Sequence, residues 1–369
     1  MNRTRIVTVV LACLAVVGAA SAGRAALAGT VLAGRAAPAA CGVTHRLLPT
    51  CGAWWGSTPT PRRDTIETES GRPLDVLHYF NTSAGFPTAA QMADETAGGK
   101  QRWLFENWKP NLGGPRAFSW AATAAGANDA QLDAEAAALR RYIATTGKPL
   151  FLALYHEPED NVGDTAGSGN TPADYVAMWR HVLTRLTTVD GVPRDKLVTV
   201  LIYMGWGGQT GRVDALTGKL FADALDPGEA YVDWYAEDPY DKGGCPHLAD
   251  FAAMTDSVAG RPAGSSWPGW YTWVSAAHPR VVDARRLAVG EWGVIECPTD
   301  PAAKARVFDS VLPALRPGGP RHAFGMVVYW NNTLAQDYHV DTSATTLAAW
   351  KTTSADPYLN QPHTAGAGA

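Results

Sequence analysis

Short runs rich in β-branched and aromatic residues recur along this chain with helix-like stretches between them, and no other feature restricts the fold as strongly. The runs are Gly52-Ala53-Trp54-Trp55, Leu74 to Phe80, Arg102 to Phe105, Pro149 to Tyr155, Leu197 to Tyr203, Tyr231 to Tyr235, Leu287 to Val289 and Gly325 to Trp330. Between them, Asn128 to Thr145 carries apolar residues at Leu132, Ala136, Leu139 and Ile143, at helical spacing. Thr171-Pro172-Ala173-Asp174 opens a second helix, to Leu186, with a cap residue, a proline at the first helical position and an acid in the first turn. Ala302 to Leu315 reads as another. Strands alternating with helices pair in parallel through right-handed crossovers. Eight such units predict an α/β chain folded as one (β/α)8 TIM barrel. The alternative, an open doubly wound sheet, would want a G-x-G-x-x-G turn after its first strand. "MGWGGQTG" follows the fifth run, does not match, and reads as a glycine-rich loop.

The ends of the chain read differently. Arg3 and Arg5 precede an apolar run from Ile6 to Ala20, and Ala20-Ser21-Ala22 fits a cleavage site, so residues 1–22 read as a secretory signal peptide. The run is too short for a membrane span, which takes about 20 apolar residues, and no later stretch approaches one. Residues 23–40 are an Ala/Gly-rich linker, 41–352 the barrel, and 353–369 a tail expected to be disordered. The expectation is a secreted, extracellular monomer with no membrane contact after cleavage. Once Cys13 leaves with the signal, Cys41, Cys51, Cys245 and Cys297 remain, an even number that suggests two disulfides. Three connectivities are open; Cys41 with Cys51 and Cys245 with Cys297 closes the shorter loops. A net charge of −4 with mixed signs gives no basic footprint for nucleic acid. Fourteen tryptophans are many for this length, and flat aromatic faces suit stacking on sugar rings as well as core packing.

In a barrel of this kind the chemistry sits at the C-terminal ends of the strands. "LALYHEPED" sets His156 and Glu157 at the end of the fourth run, and "RLAVGEWG" sets Glu291 after the seventh. Burying an unpaired charge is costly, so such acids need a use. Two carboxyls facing one bowl are the equipment of glycoside hydrolysis, in which one gives a proton to the leaving oxygen and the other attacks the anomeric carbon or activates water. Glu157, beside His156 in an apolar-aromatic setting, is the better acid, because desolvation and a nearby anion raise a carboxyl pKa. Glu291 is the better nucleophile.

"YHEPE", "DPGEAYVDWYAEDPYD", "LAVGEWG" and "VVYWN" together resemble the glycoside hydrolases of clan A, and within it family 26, the β-mannanase family. Most of that clan places Asn before the strand-4 acid, whereas family 26 places His, as His156 stands here. The resemblance spans roughly residues 52–350 and implies Glu157 as general acid/base and Glu291 as nucleophile. It further implies His156 near the substrate, Asp238-Pro239-Tyr240 as the strand-6 motif with Tyr240 orienting the nucleophile, and Trp330 stacked under the sugar at the cleavage point. Trp206, Trp108 and Trp292 are further candidate sugar platforms. The mechanism implied retains configuration, with the carboxyls about 5 to 5.5 Å apart. One departure concerns the loop after the acid, "PEDNVGDTAGSGN", which lacks the tryptophan expected there.

The reading is therefore a polysaccharide-cleaving retaining β-glycanase, an endo-β-1,4-mannanase first, with no cofactor and no metal. The alternatives are another β-glycanase, such as a β-1,3-xylanase or a mixed-linkage β-glucanase, and a non-catalytic carbohydrate-binding barrel. No Cys/His cluster suggests zinc, and "HEPED" is not H-E-x-x-H. Asp160, Asn161, Asp164 and Asn170 superficially resemble a calcium loop but lack its central Gly and terminal Glu. No G-x-S-x-G turn for a serine hydrolase occurs.

Overall fold

The computed structural model describes residues 41–112, 117–241 and 250–360. Parallel strands close into an eight-stranded barrel: β1 (Trp54–Ser57), β2 (Val76–Asn81), β3 (Trp103–Trp108), β4 (Leu150–Leu154), β5 (Leu197–Tyr203), β6 (Trp234–Glu237), β7 (Leu287–Val289) and β8 (Phe324–Tyr329). Closure comes from β1, which pairs with β8 through Trp55 opposite Val327 and with β2 through Gly56 opposite Val76. Each expected run overlaps a strand; Leu197–Tyr203 and Leu287–Val289 match to the residue, and the others are shifted at their ends. β6 starts at Trp234, later than Tyr231, because the Tyr231 and Val232 amides turn back to the Gly228 carbonyl. The expected helices run from Asp129–Thr146, Pro172–Thr184 and Ala303–Leu315. Thr171 and Asp174 form a reciprocal capping box at the start of the second.

Side-chain alternation sorts each strand into an inward and an outward set. Trp54, Val76, Phe105, Phe151, Val200, Ile202, Trp234 and Val328 fill the barrel interior. Their neighbours, such as Trp55, Leu77, Leu104, Leu152, Leu201 and Tyr235, pack outward with the helices. The N-terminal mouth is stoppered by the loop that the Cys41–Cys51 disulfide closes. Leu47 of that loop is fully buried with Trp54, whose indole N–H donates to the Leu47 carbonyl, and Trp234 donates likewise to the Arg46 carbonyl at 2.8 Å. With that end closed, the opposite mouth is where a ligand can enter.

The boundary expected at residue 352 falls inside a helix, Ala344–Ala355, and the packed chain continues past it. Trp55 donates to Ser354, Trp350 donates to Ser70, the Ala53 amide donates to the Tyr358 carbonyl, and Leu359 is fully buried. These bonds tie the last turns to β1 and to the helix Arg63–Ser70, so residues 353–360 belong to the barrel. The signal segment 1–22, the linker 23–40, Cys245 and residues 361–369 lie outside the described residues. No helix among the described residues is long and apolar enough to cross a membrane.

Candidate active site

The strand ladder continues beyond the formal end of β4 and carries the acid with it. The Tyr155 amide donates to Trp108 on one side and the Glu157 amide to Ile202 on the other, at 2.8 and 3.0 Å. Fitting both bonds around His156 puts Tyr155 (φ 61°) and Glu157 (φ 51°, ψ 53°) in the left-handed region. For non-glycine residues this costs of order 1–3 kcal/mol each and persists only where surroundings enforce it. Pro158 then opens a short 3-10 turn, Pro158–Asn161, that ends the run. Glu159, buried in that turn, accepts from the Met204 amide and the Thr210 hydroxyl at 3.0 and 2.6 Å. The loop after β4 is thereby fixed to the loop after β5.

Glu291 is placed by a second device. Tyr240–Asp241 and Gly293–Val294 form a two-stranded parallel sheet outside the barrel, with Tyr240 opposite Gly293. A Cβ at residue 293 would stand 2.9 Å from the Tyr240 ring, so only glycine lets the ring lie there. The result is a 2.7 Å hydrogen bond from the Tyr240 hydroxyl to Glu291 Oε2. The other oxygen, Oε1, is buried with no partner.

The charges in this mouth act on one another. Burial pushes Glu291 up to about 8 and the Glu157 carboxylate adds to the rise, while the Tyr240 hydroxyl, the Lys109 ammonium and Asp238 oppose it. Of the two acids Glu291 is the more deeply buried, and Glu157 is half-buried. Burial, then Glu291 and Glu157, hold Asp238 well above the carboxylate range. His156 is held well below its usual value by burial and by Lys109, and His78 is lowered to about 3 by burial; both are neutral imidazoles. Lys109 lies 4.8 Å over the Tyr155 ring; burial lowers its pKa, and Glu157, Asp160 and Glu291 oppose that fall.

His78, Phe80, Asn107 and Lys109 were not anticipated. Their signal is the two-residue period: positions 76, 78 and 80 of "VLHYF" share one side of β2, and 103, 105 and 107 share one side of β3, with 109 next in the series just past its end. With Val76 and Phe105 inside the barrel, the later members of each series reach the mouth. His78 stacks on Phe105 at 4.0 Å, and Phe80 meets His156 at 5.5 Å and Trp330 at 5.2 Å, edge to face. Buried polar atoms without partners gather here: His78 Nε2, His156 Nδ1, both amide atoms of Asn107, both carboxyl oxygens of Asp238, and Trp330 Nε1. Each would lower its cost by about 1–3 kcal/mol if a ligand hydroxyl paired with it.

The tryptophans divide. Trp330 is half-buried and Trp206 is 41% exposed. Trp108 and Trp292 are fully buried, which removes them as sugar platforms. Trp108 follows inward Asn107 and so points outward onto Phe86, while Trp292 follows Glu291 and packs among Trp55, Phe251, Phe308 and Tyr329. The polar residues of the loop after β4 brace it: Asn161 accepts from Tyr155, Asn170 from the Trp120 amide, Asp160 from Gln209, and Asp164 pairs with Arg212.

No family model and no curated protein matches the sequence. Solved structures do. The fold is the one found in family 26 mannanases. A GH26-CBM35 β-(1,4)-mannanase from Podospora anserina superimposes with a TM-score of 0.51 at 16% identity over 84% of this chain. GH26C from a Muricauda species gives 0.56 at 12% identity, covering 85% of this chain and 87% of its own. A modular endo-β-1,4-mannanase from Cellulomonas fimi gives 0.54 at 17% identity, covering 83% and 71%. This chain spans 62% of the length of the Podospora protein.

Proposed function

We propose that this protein is an exported retaining glycoside hydrolase acting on a β-linked polysaccharide, with endo-β-1,4-mannan as the first candidate substrate. One observation carries the reading: Glu291, held through one oxygen by Tyr240, follows β7 at the same end of the barrel at which Glu157 follows β4. The Cys41–Cys51 disulfide and the signal-like N-terminus support export.

The chemistry follows from how the two carboxyls share charge. Close acids titrate as a pair, and the reaction starts from the state in which the pair shares one proton. When that proton sits on Glu157, Glu291 is the anion that Tyr240 and Lys109 stabilise, and its unpartnered Oε1 is free to attack the anomeric carbon. As the C–O bond to the leaving sugar breaks, Glu157 delivers its proton to the departing oxygen. In the second step Glu157 takes a proton from water, whose oxygen displaces Glu291 from the sugar and restores the original configuration. His156, His78, Asn107 and Asp238 offer donors and acceptors to the hydroxyls, and Trp330 offers a ring face. A panel of mannan, xylan, mixed-linkage glucan and chitin, with products read by mass spectrometry, tests the proposal. Oligosaccharides released from mannan support it; turnover of another β-glycan alone reassigns the sugar, and no release from any of them defeats it.

A further inference from the structure

Beyond the two carboxyls, the loop that follows β5 carries a feature the reaction itself does not require. Trp206 is the most exposed of the described large aromatic side chains, and the chain is shaped around its ring. A Cβ at residue 208 would fall inside the ring atoms, and one at residue 260 would lie 2.7 Å from them. Two glycines, one of them in a separate segment, therefore leave room for a flat indole with a face toward solvent.

The loop is also held still. Its Gly205 amide donates to the Thr210 hydroxyl at 2.9 Å, and Thr210 donates in turn to buried Glu159, two residues beyond Glu157. Gln209 reaches Asp160 at 3.3 Å and Arg212 pairs with Asp164 at 3.0 Å. The indole thus stands on the same braced unit as the proton donor. That unit contains no aromatic of its own from residue 158 to 170.

Trp330 is anchored to a different segment. Its amide donates to the Trp292 carbonyl, next to Glu291, and its ring meets Phe80 from β2. The backbone of one is bonded next to the nucleophile, and the loop that carries the other is bonded to the turn that follows the acid. The glycone is the part bonded to the nucleophile, and the departing sugar is the part the acid protonates.

We propose that Trp206 is the stacking platform for the leaving sugar, so that the cleft grips a glycan on both sides of the bond it breaks and acts within chains. This rests on the glycoside hydrolase reading and extends it to a residue that touches only the departing part. An immobilised aromatic of this kind supplies binding that appears in kcat/KM only when the leaving group reaches it.

The test compares two substrates with the same glycone, a short oligosaccharide of the cleaved glycan and the corresponding glycosyl fluoride, whose leaving group is too small to reach the ring. In Trp206→Ala the ratio of kcat/KM for oligosaccharide over fluoride should fall about tenfold or more, and in Trp206→Phe it should stay within about threefold of the parent. A ratio in Trp206→Ala that stays within about twofold overturns the platform, including where both rates drop together through a disturbed fold. If the parent chain cleaves neither the oligosaccharide nor any other glycan, the hydrolase reading fails and the platform fails with it. A parent that is active, with an unchanged ratio, removes the platform alone.

Discussion

The Tyr240 hydroxyl donates a 2.7 Å hydrogen bond to Glu291 Oε2, and the two residues meet because a small sheet outside the barrel sets Tyr240 opposite Gly293. A donor on the ionised carboxyl lowers its pKa against the rise imposed by burial and by Glu157. Tyr240→Phe should therefore move the acidic limb of the kcat/KM profile to higher pH and lower the maximum by about ten- to a hundredfold. A limb that stays in place would show that Tyr240 does not tune Glu291.

Glu157 has a different signature. Loss of a general acid typically costs roughly 10² to 10⁴ in rate when the leaving group needs a proton. Glu157→Gln should lose activity on that scale against polysaccharide and much less against a substrate with an activated leaving group. Equal losses on both, measured as kcat/KM, would speak against proton donation.

Several carboxyls buried away from the mouth make folding sensitive to pH. Glu106 accepts from Asn81 and Gln91 at 2.7 and 3.1 Å, yet burial pushes it from near 4.5 up to about 8, and Glu135 is raised to about 8 for the same reason. Between those values the native chain holds protons that the unfolded chain has released, so this contribution to stability is full below about 4.5 and is lost as pH rises through 8. Glu106→Gln removes one such group. Its Tm relative to the parent should become more favourable from pH 5 to pH 9, and a difference independent of pH would contradict the burial argument.

The Cys41–Cys51 disulfide closes the loop whose Leu47 and Arg46 stopper the far end of the barrel. A bridge over so short a loop stabilises by about 2–4 kcal/mol, largely through the unfolded chain. Replacing both cysteines by serine should lower Tm while leaving KM for the cleaved glycan unchanged. A changed KM would mean that the stopper communicates with the mouth.

The barrel was readable because each strand announced itself as a short β-branched or aromatic run, and the places of Glu157 and Glu291 after β4 and β7 were readable with it. The register within a strand was harder to see. Trp108 and Lys109 are adjacent in sequence, yet one packs outward under Phe86 and the other reaches the acids, a distinction set by which residue of β3 faces inward. The same parity hid His78 and Asn107. Trp292 misled for a related reason: its neighbour Glu291 points into the mouth, so the next side chain must point away, into the aromatic cluster around Trp55 and Tyr329. Tyr240 was anticipated only through family resemblance, since its partner is 51 residues distant and the sheet that joins them is two residues long on each side.

The most direct test of the account is to trap the first chemical step. A 2-deoxy-2-fluoro glycosyl fluoride of the cleaved sugar slows breakdown of the intermediate, so the protein should gain the mass of one fluoroglycosyl unit, and peptide mapping should assign it to Glu291. An adduct on a different residue, or inverted products with no adduct at all, would contradict a nucleophile at Glu291.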